Sequence, residues 1–156
     1  MKSLHDTPGE QSPAGHALDR MFELAETLGA LMERGMAERG VSRARAGLLW
    51  ALSHGGPMTQ RALATRLGVT PRNVTGLLDA LEGDGLVRRE PHPTDRRALL
   101  VSLTGRGRSL TAALRSGRDE MAAGLFTGMP REQVAAFTAG LELVIERLRA
   151  AAPPGC

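Results

Sequence analysis

Residues 59–81 decide the fold, and they read TQRALATRLGVTPRNVTGLLDAL. Thr59 is a good N-cap for a short helix over residues 62–67, which Gly68 would stop. Thr70 caps a second helix, and Pro71 suits its first position because proline has no N–H to leave unpaired there. Two helices joined by about three or four residues with a glycine in the turn are typical of a helix-turn-helix. The segment therefore predicts this motif.

The second helix has one apolar face and one face rich in hydrogen-bonding groups. Its predicted inward positions are Val74, Leu77, Leu78 and Leu81. In a helix-turn-helix, the second helix enters the major groove of DNA with its N-terminal turns. The predicted major-groove residues are Thr70, Pro71, Arg72, Asn73, Thr75 and Gly76.

Side-chain chemistry gives several of these residues a role on DNA. Arg72 can bond two acceptors of guanine, Asn73 can pair with adenine, and the methyl group of Thr75 can contact thymine. Gly76 lets the helix backbone come close. A plain solvated helix face remains the alternative for the same residues.

A predicted β-hairpin follows at residues 86–103, with a polar, proline-rich tip. Arginine at the end of a protruding β-ribbon can enter a narrow A·T-rich minor groove. The hairpin residues predicted to contact DNA are His92, Thr94, Arg96 and Arg97. Asp95 is predicted to hold the loop in shape by pairing with Arg97 or Arg89. Loop solubility is the alternative role for the arginines.

Longer helices flank this region on both sides. Apolar residues recur at helical spacing over residues 16–39, 42–54, 104–127 and 130–150, with Gly107 and Gly117 weakening the third helix locally. The fold class is thus mainly α with a small β-hairpin wing. Residues 1–14 and 151–156 lack an apolar period and are predicted to be a disordered arm and a flexible tail of one domain over residues 15–150.

The region around the motif resembles the winged helix-turn-helix of MarR-type bacterial transcriptional regulators. Its most specific part is Asp95-Arg96-Arg97, then five residues, then Leu103-Thr104 and Gly107-Arg108. This matches the family's D-x-R, five residues and L-T pattern. With the flanking helices, the resemblance extends over about 135 residues. It implies a dimeric regulator that binds double-stranded DNA.

The resemblance implies a homodimer formed by the helices over residues 15–40 and 104–150, with a DNA-binding lobe over residues 42–103. These helices also carry more apolar positions than one subunit can readily cover. The predicted dimer residues are Phe22, Leu24, Leu28, Phe137, Leu141, Val144 and Leu148. Packing within one subunit is the alternative. Two-fold symmetry would place operator half-sites about 34–36 Å apart.

Control within this family usually comes from a small phenolic or lipophilic ligand or from thiol oxidation. The thiol route has only Cys156, the last residue. The predicted ligand-pocket residues are His16, Met21, Trp50 and His54. At helical spacing, such residues are also ordinary members of a core. A repressor is predicted, because a dimer on promoter DNA obstructs polymerase, and activation stays open.

Composition narrows the remaining classes of function. The chain has 156 residues, 42% of them hydrophobic, with a net charge of +3, as expected for one soluble, cytoplasmic domain without a membrane span. Its four histidines lack metal-ligand spacing, and no nucleotide-binding or hydrolase motif is present. We therefore predict no enzyme activity, no metal and no cofactor. A winged-helix module for protein contacts and a non-specific DNA-coating protein remain alternatives.

Overall fold

A computed structural model describes residues 12–95 and 97–151 of the chain. The chain divides into two compact units, the first ending at Leu114 and the second beginning at Arg115. Residues 1–11 and 152–156, on which most of the predicted arm and tail and Cys156 fall, lie outside the described part, as does Arg96.

The first unit holds the predicted helix-turn-helix and hairpin. Its elements are α1 (Pro13–Ala37), α2 (Arg43–Gly55), β1 (Met58–Thr59), α3 (Gln60–Leu67), α4 (Pro71–Gly83), β2 (Val87–Pro91), β3 (Leu99–Leu103) and the first part of α5 (Gly105–Phe126). The second unit contains the rest of α5 and α6 (Arg131–Ala151). The predicted class, mainly helical with a small β-hairpin, is confirmed.

Capping side chains start several helices where the sequence predicts. The hydroxyl oxygens of Ser42, Thr59 and Thr70 each accept a hydrogen bond, 3.2–3.4 Å long, from the backbone N–H three residues ahead. α1 begins earlier than predicted because Ser12 accepts a 3.1 Å bond from the N–H of Gly15. Residues 13 and 14 are therefore helical and do not belong to a disordered arm.

The sheet contains three antiparallel strands in the order β1-β3-β2, one more than the predicted hairpin. In the hairpin, Val87 lies opposite Leu103 and Pro91 lies opposite Leu99. The added strand places Met58 opposite Val101. A strand of two residues has no alternation of apolar and polar positions, so no sequence pattern predicts it.

The core of the first unit lies between α2, α3, α4 and the sheet. Its largest fully buried side chains are Leu48, Leu49, Leu63, Val74, Leu78, Leu81, Val87 and Val101. Of the predicted inward positions of α4, three are buried and Leu77 is half-buried. The apolar face of α4 is thus turned to the core, which fixes its polar face outward.

Candidate nucleic-acid interface

The N-terminal turns of α4 present polar groups to solvent. Arg72, Asn73 and Gly76 are exposed, while Val74 between them is fully buried. The hydroxyl oxygen of Thr70 accepts a 3.2 Å hydrogen bond from the N–H of Asn73, which fixes the first turn. The exposed side chains are therefore carried by a helix end whose backbone is held in place.

Thr75 lies differently from its predicted position on the outer face. It is half-buried, its hydroxyl donates a 3.0 Å bond to the carbonyl of Pro71, and it accepts a hydrogen bond from the Nε2 of Gln60. Gln60 opens α3, so this bond fixes the two helices of the motif relative to each other. No sequence pattern predicts the bond, because the spacing of 15 residues follows no helical repeat.

The tip of the hairpin is organised by His92. Its Nδ1 accepts hydrogen bonds from the N–H of Thr94 at 3.3 Å and from the N–H of Asp95 at 3.2 Å. The Oδ1 of Asp95 accepts a 3.0 Å bond from the N–H of Arg97. Asp95 therefore shapes the loop as predicted, but through the backbone of Arg97. The side chain of Arg97 is exposed, and Arg96 lies outside the described residues.

Arg89 does not pair with Asp95, and that alternative is wrong. Its Nε donates a 2.9 Å hydrogen bond to Glu82, and its guanidinium also lies 2.8 Å from Asp79. Both acids belong to the last turns of α4, whereas Arg89 belongs to β2. These contacts of Arg89 with Glu82 and Asp79 form a brace between α4 and β2. No pattern within the hairpin predicts the brace, because both acids lie outside the hairpin.

The brace shifts the pKa of Glu82 and the pKa of Arg89. The side-chain hydrogen bond from Arg89 lowers the pKa of Glu82, against an opposing effect of desolvation. The bonds to Glu82 and then to Asp79 raise the pKa of Arg89. Both shifts favour the charged forms, so the tie between α4 and the wing is an ion pair.

The four residues predicted to line a ligand pocket do not line the cavity that the structure shows in the first unit. Trp50 and His54 contact each other within α2 with ring centroids 5.2 Å apart, and the Nδ1 of His54 lies 2.9 Å from the carbonyl oxygen of Trp50. His16 is exposed and Met21 is half-buried on α1. A cavity of about 450 Å³ lies elsewhere in the first unit, lined by Arg39, Gly40, Val41, Asp84, Leu86, Arg106, Ser109 and Leu110.

The predicted dimer residues are not buried within the chain. Phe22, Leu24, Phe137 and Leu148 are exposed, and Leu148 retains 59% of its accessible surface. Leu28, Leu141 and Val144 are half-buried. In the part of α6 that the structure describes, no residue is buried at all. The terminal helices thus carry apolar surface that a single described chain leaves in water.

Comparisons with known proteins agree with this architecture. Residues 41–99, which contain the helix-turn-helix and most of the wing, match the model of the MarR family. In this region the chain is a MarR-family winged helix-turn-helix. The sequence-based resemblance is therefore confirmed.

Proteins whose names describe them as transcriptional regulators match this chain over longer stretches than the family model does. The chain is 41% identical over 80 residues to an HTH-type transcriptional regulator of Mycobacterium leprae, ML2140, a match that covers 51% of this chain and 56% of that protein. It is 28% identical over 130 residues to the HTH-type transcriptional repressor YetL of Bacillus subtilis, covering 82% of this chain and 78% of YetL. The chain thus spans little more than half the length of the mycobacterial relative. The family and these relatives are regulators and not enzymes, as predicted.

Solved structures share the fold over most of the chain. RV1404 from Mycobacterium tuberculosis is 29% identical with a TM-score of 0.76, and the match covers 90% of this chain and 97% of that one. A cysteine-to-serine mutant of MarR from E. coli, complexed with operator DNA, is 24% identical with a TM-score of 0.64, covering 82% and 93%. At 24% identity, the likeness to the E. coli protein concerns the fold alone. Among the described helices of this chain, none has the length and hydropathy needed to cross a bilayer.

Proposed function

We propose that this chain reads a specific double-stranded DNA sequence, with the N-terminal turns of α4 in the major groove. One observation carries the proposal: Arg72, Asn73 and Gly76 are exposed side by side on a capped helix end whose opposite face is buried. Arginine and asparagine are the side chains that pair bidentately with guanine and adenine. Thr70 and Pro71 start the same turn and belong to this surface.

The wing extends the proposed contact into the adjacent minor groove. Arg97 is exposed next to the loop that His92 and Asp95 shape, and Arg96 precedes it in the chain. The brace from Arg89 to the end of α4 supports this role, because it ties the strand of the wing to the recognition helix. Positive charge in a narrow minor groove reads groove width rather than a base code.

The protein acts as a homodimer in this proposal. The support is the apolar surface of α1 and α6, where Phe22, Phe137 and Leu148 are all exposed. A soluble chain rarely leaves such surface open to water, and a two-fold interface buries it twice. Residues 15–40 and 104–150 would then dimerise, and the lobe over residues 42–103 would bind one half of a pseudo-palindromic operator.

The proposal also includes repression of transcription and release of the protein from DNA by a small effector. YetL, which aligns with 82% of this chain, is named a repressor. A dimer seated on a promoter blocks access of polymerase to it. A small phenolic or lipophilic effector that binds the DNA-free form more tightly would release the block, because a ligand shifts an equilibrium by its difference in affinity for the two states.

The test is a titration of the purified full chain against promoter fragments, including the one beside its own gene, at two salt concentrations with random competitor DNA. We expect a preferred, two-fold symmetric site and a steep salt dependence. Arg72→Ala should weaken binding to that site by about 1–3 kcal/mol but hardly affect sites that lack the preferred base. Arg118→Ala, an exposed arginine on α5, is the matched control and should bind as wild type.

Other outcomes would point to the alternatives. An equal loss on every sequence would make Arg72 a phosphate contact, and salt-sensitive binding without a preferred site would indicate a DNA-coating protein. Absence of DNA binding at both salt concentrations would contradict the proposal and favour a module for protein contacts.

A further inference from the structure

The hydroxyl group of Thr75 on α4 has already used its only proton. Its Oγ1 donates a 3.0 Å hydrogen bond to the carbonyl of Pro71 and accepts a hydrogen bond from the Nε2 of Gln60. A threonine hydroxyl carries one proton, so this group cannot also donate to a base or to a phosphate oxygen. The side chain is half-buried, and its γ-methyl group is what it can still offer to a ligand of α4.

Gln60 holds Thr75 in this arrangement from a different helix. Gln60 is the first residue of α3, its side chain is half-buried, and it bonds Thr75 across 15 residues of sequence. Threonine in a helix divides between two side-chain rotamers. A second bond to the hydroxyl, from another element, stabilises the rotamer in which both bonds form. Gln60 therefore fixes the hydroxyl of Thr75, and with it the methyl group on the same carbon.

Two groups of the proposed major-groove surface lie next to Thr75. Arg72 is exposed and precedes it by three residues, a spacing that makes side chains neighbours on a helix, with about 5–6 Å between their Cβ atoms. Gly76 follows it and has open space around the position that a Cβ would take. Since base pairs in DNA are stacked about 3.4 Å apart, Arg72 and Thr75 are separated by one or two base-pair steps.

We propose that Gln60 and Thr75 form a methyl-reading pair, in which the γ-methyl group of Thr75 contacts the 5-methyl group of a thymine. Gln60 is the positioning residue of this pair. The inference rests on the proposed function and adds one base to the sequence that is read. Thymine is the base that presents a methyl group in the major groove, so it is the partner for an apolar group of α4. This thymine lies one or two base pairs from the guanine that Arg72 contacts.

Replacement of single thymines by uracil in the preferred DNA site tests the methyl contact, because uracil lacks only the 5-methyl group. We expect a thymine in each half-site whose replacement weakens binding of the full chain about fourfold, the effect of burying one apolar carbon. Thr75→Ser keeps the hydroxyl but lacks the methyl, so it should bind thymine and uracil equally at this position. Thr65→Ser is the matched control, because the Thr65 hydroxyl on α3 also bonds the carbonyl one turn back, at 3.2 Å. It should keep the fourfold ratio.

Gln60→Met tests the positioning role, because methionine has a similar length but cannot donate a hydrogen bond to Thr75. The ratio of the affinities for thymine and uracil should fall toward one. A merely structural role would not change this ratio, since a less stable helix-turn-helix loses affinity for both DNA molecules alike. Gln133→Met, an exposed change on α6, should keep the wild-type ratio.

The proposal would be overturned if no thymine were sensitive to uracil, or if either Thr75→Ser or Gln60→Met kept the wild-type ratio. Circular dichroism shows whether each variant folds, and Gln60→Ala takes the place of Gln60→Met if methionine prevents folding. The two proposals fail in different ways. A chain without a preferred DNA site would remove the proposed function, whereas a preferred site that is read without Thr75 and a thymine methyl group would remove this inference alone.

Discussion

At the scale of single residues, a substitution at Gly76 should change the stability of the fold and the affinity for DNA in opposite directions. A Cβ at this position would meet no atom within 4 Å, and the backbone is helical. Gly76→Ala should therefore stabilise the fold by about 0.5–1 kcal/mol, because alanine loses less backbone freedom in a helix than glycine does. The same methyl group lies on the proposed major-groove face, so DNA affinity should fall.

Urea unfolding and DNA titration of the same variant separate the two effects. Gly124→Ala is the control, since it too lies within a helix with no atom within 4 Å, but on α5. It should gain similar stability and leave DNA affinity unchanged. Wild-type DNA affinity in Gly76→Ala would mean that the backbone of α4 does not approach the bases.

At the scale of elements, the contact between α5 and the sheet depends on Gly107. Helix propensity alone predicts that this glycine weakens the helix, yet a Cβ there would lie 2.0 Å from the carbonyl oxygen of Leu86. Gly107→Ala should destabilise the fold by about 1–3 kcal/mol despite the better helix propensity of alanine, because backbone must move to relieve the overlap. Chemical denaturation measures this, and a gain in stability like that of Gly124→Ala would contradict it.

The brace between α4 and β2 makes stability depend on pH. The folded-state pKa of Glu82 lies below its ordinary value of 4.5, so its ion pair with Arg89 stabilises the fold above that value. This stabilisation is lost as the pH falls through the lowered pKa. Wild type should thus be more stable than Glu82→Gln at neutral pH, and the difference should vanish in acid. Glu33→Gln, an exposed change on α1, should show no such pH-dependent difference.

Most of these elements can be predicted from residues close together in the sequence. The contacts between elements depend on packing and cannot be predicted in this way. Thr59 and Thr70 cap the helices that they are predicted to cap, because a cap needs only residues within one turn. The hydrogen bonds from Arg89 to Glu82 and from Gln60 to Thr75 cannot be predicted in this way, because each joins two neighbouring elements. The polar face of α4 was foreseeable from its periodicity, whereas the cavity combines residues from three separate stretches of sequence.

At the scale of the whole molecule, packing within one chain does not account for the exposed apolar surface of α6. Leu148 keeps 59% and Phe137 keeps 41% of its accessible surface. Burying a leucine side chain contributes about 1.5–3 kcal/mol, and a two-fold interface counts each side chain twice. Leu148→Glu should therefore weaken self-association by about a hundredfold or more. Wild type should sediment at twice the chain mass of 16.6 kDa, and the variant should shift toward that single mass on dilution.

Ala139→Glu provides the matched control, because it adds the same charge to α6 on a face away from Phe137 and Leu141. It should stay dimeric. If dimerisation positions two lobes on one operator, Leu148→Glu should also lose affinity for the full symmetric site while binding a single half-site as wild type does. A variant that remains dimeric at every concentration would show that this face of α6 is not the interface, and loss of half-site binding would indicate damage to the lobe itself.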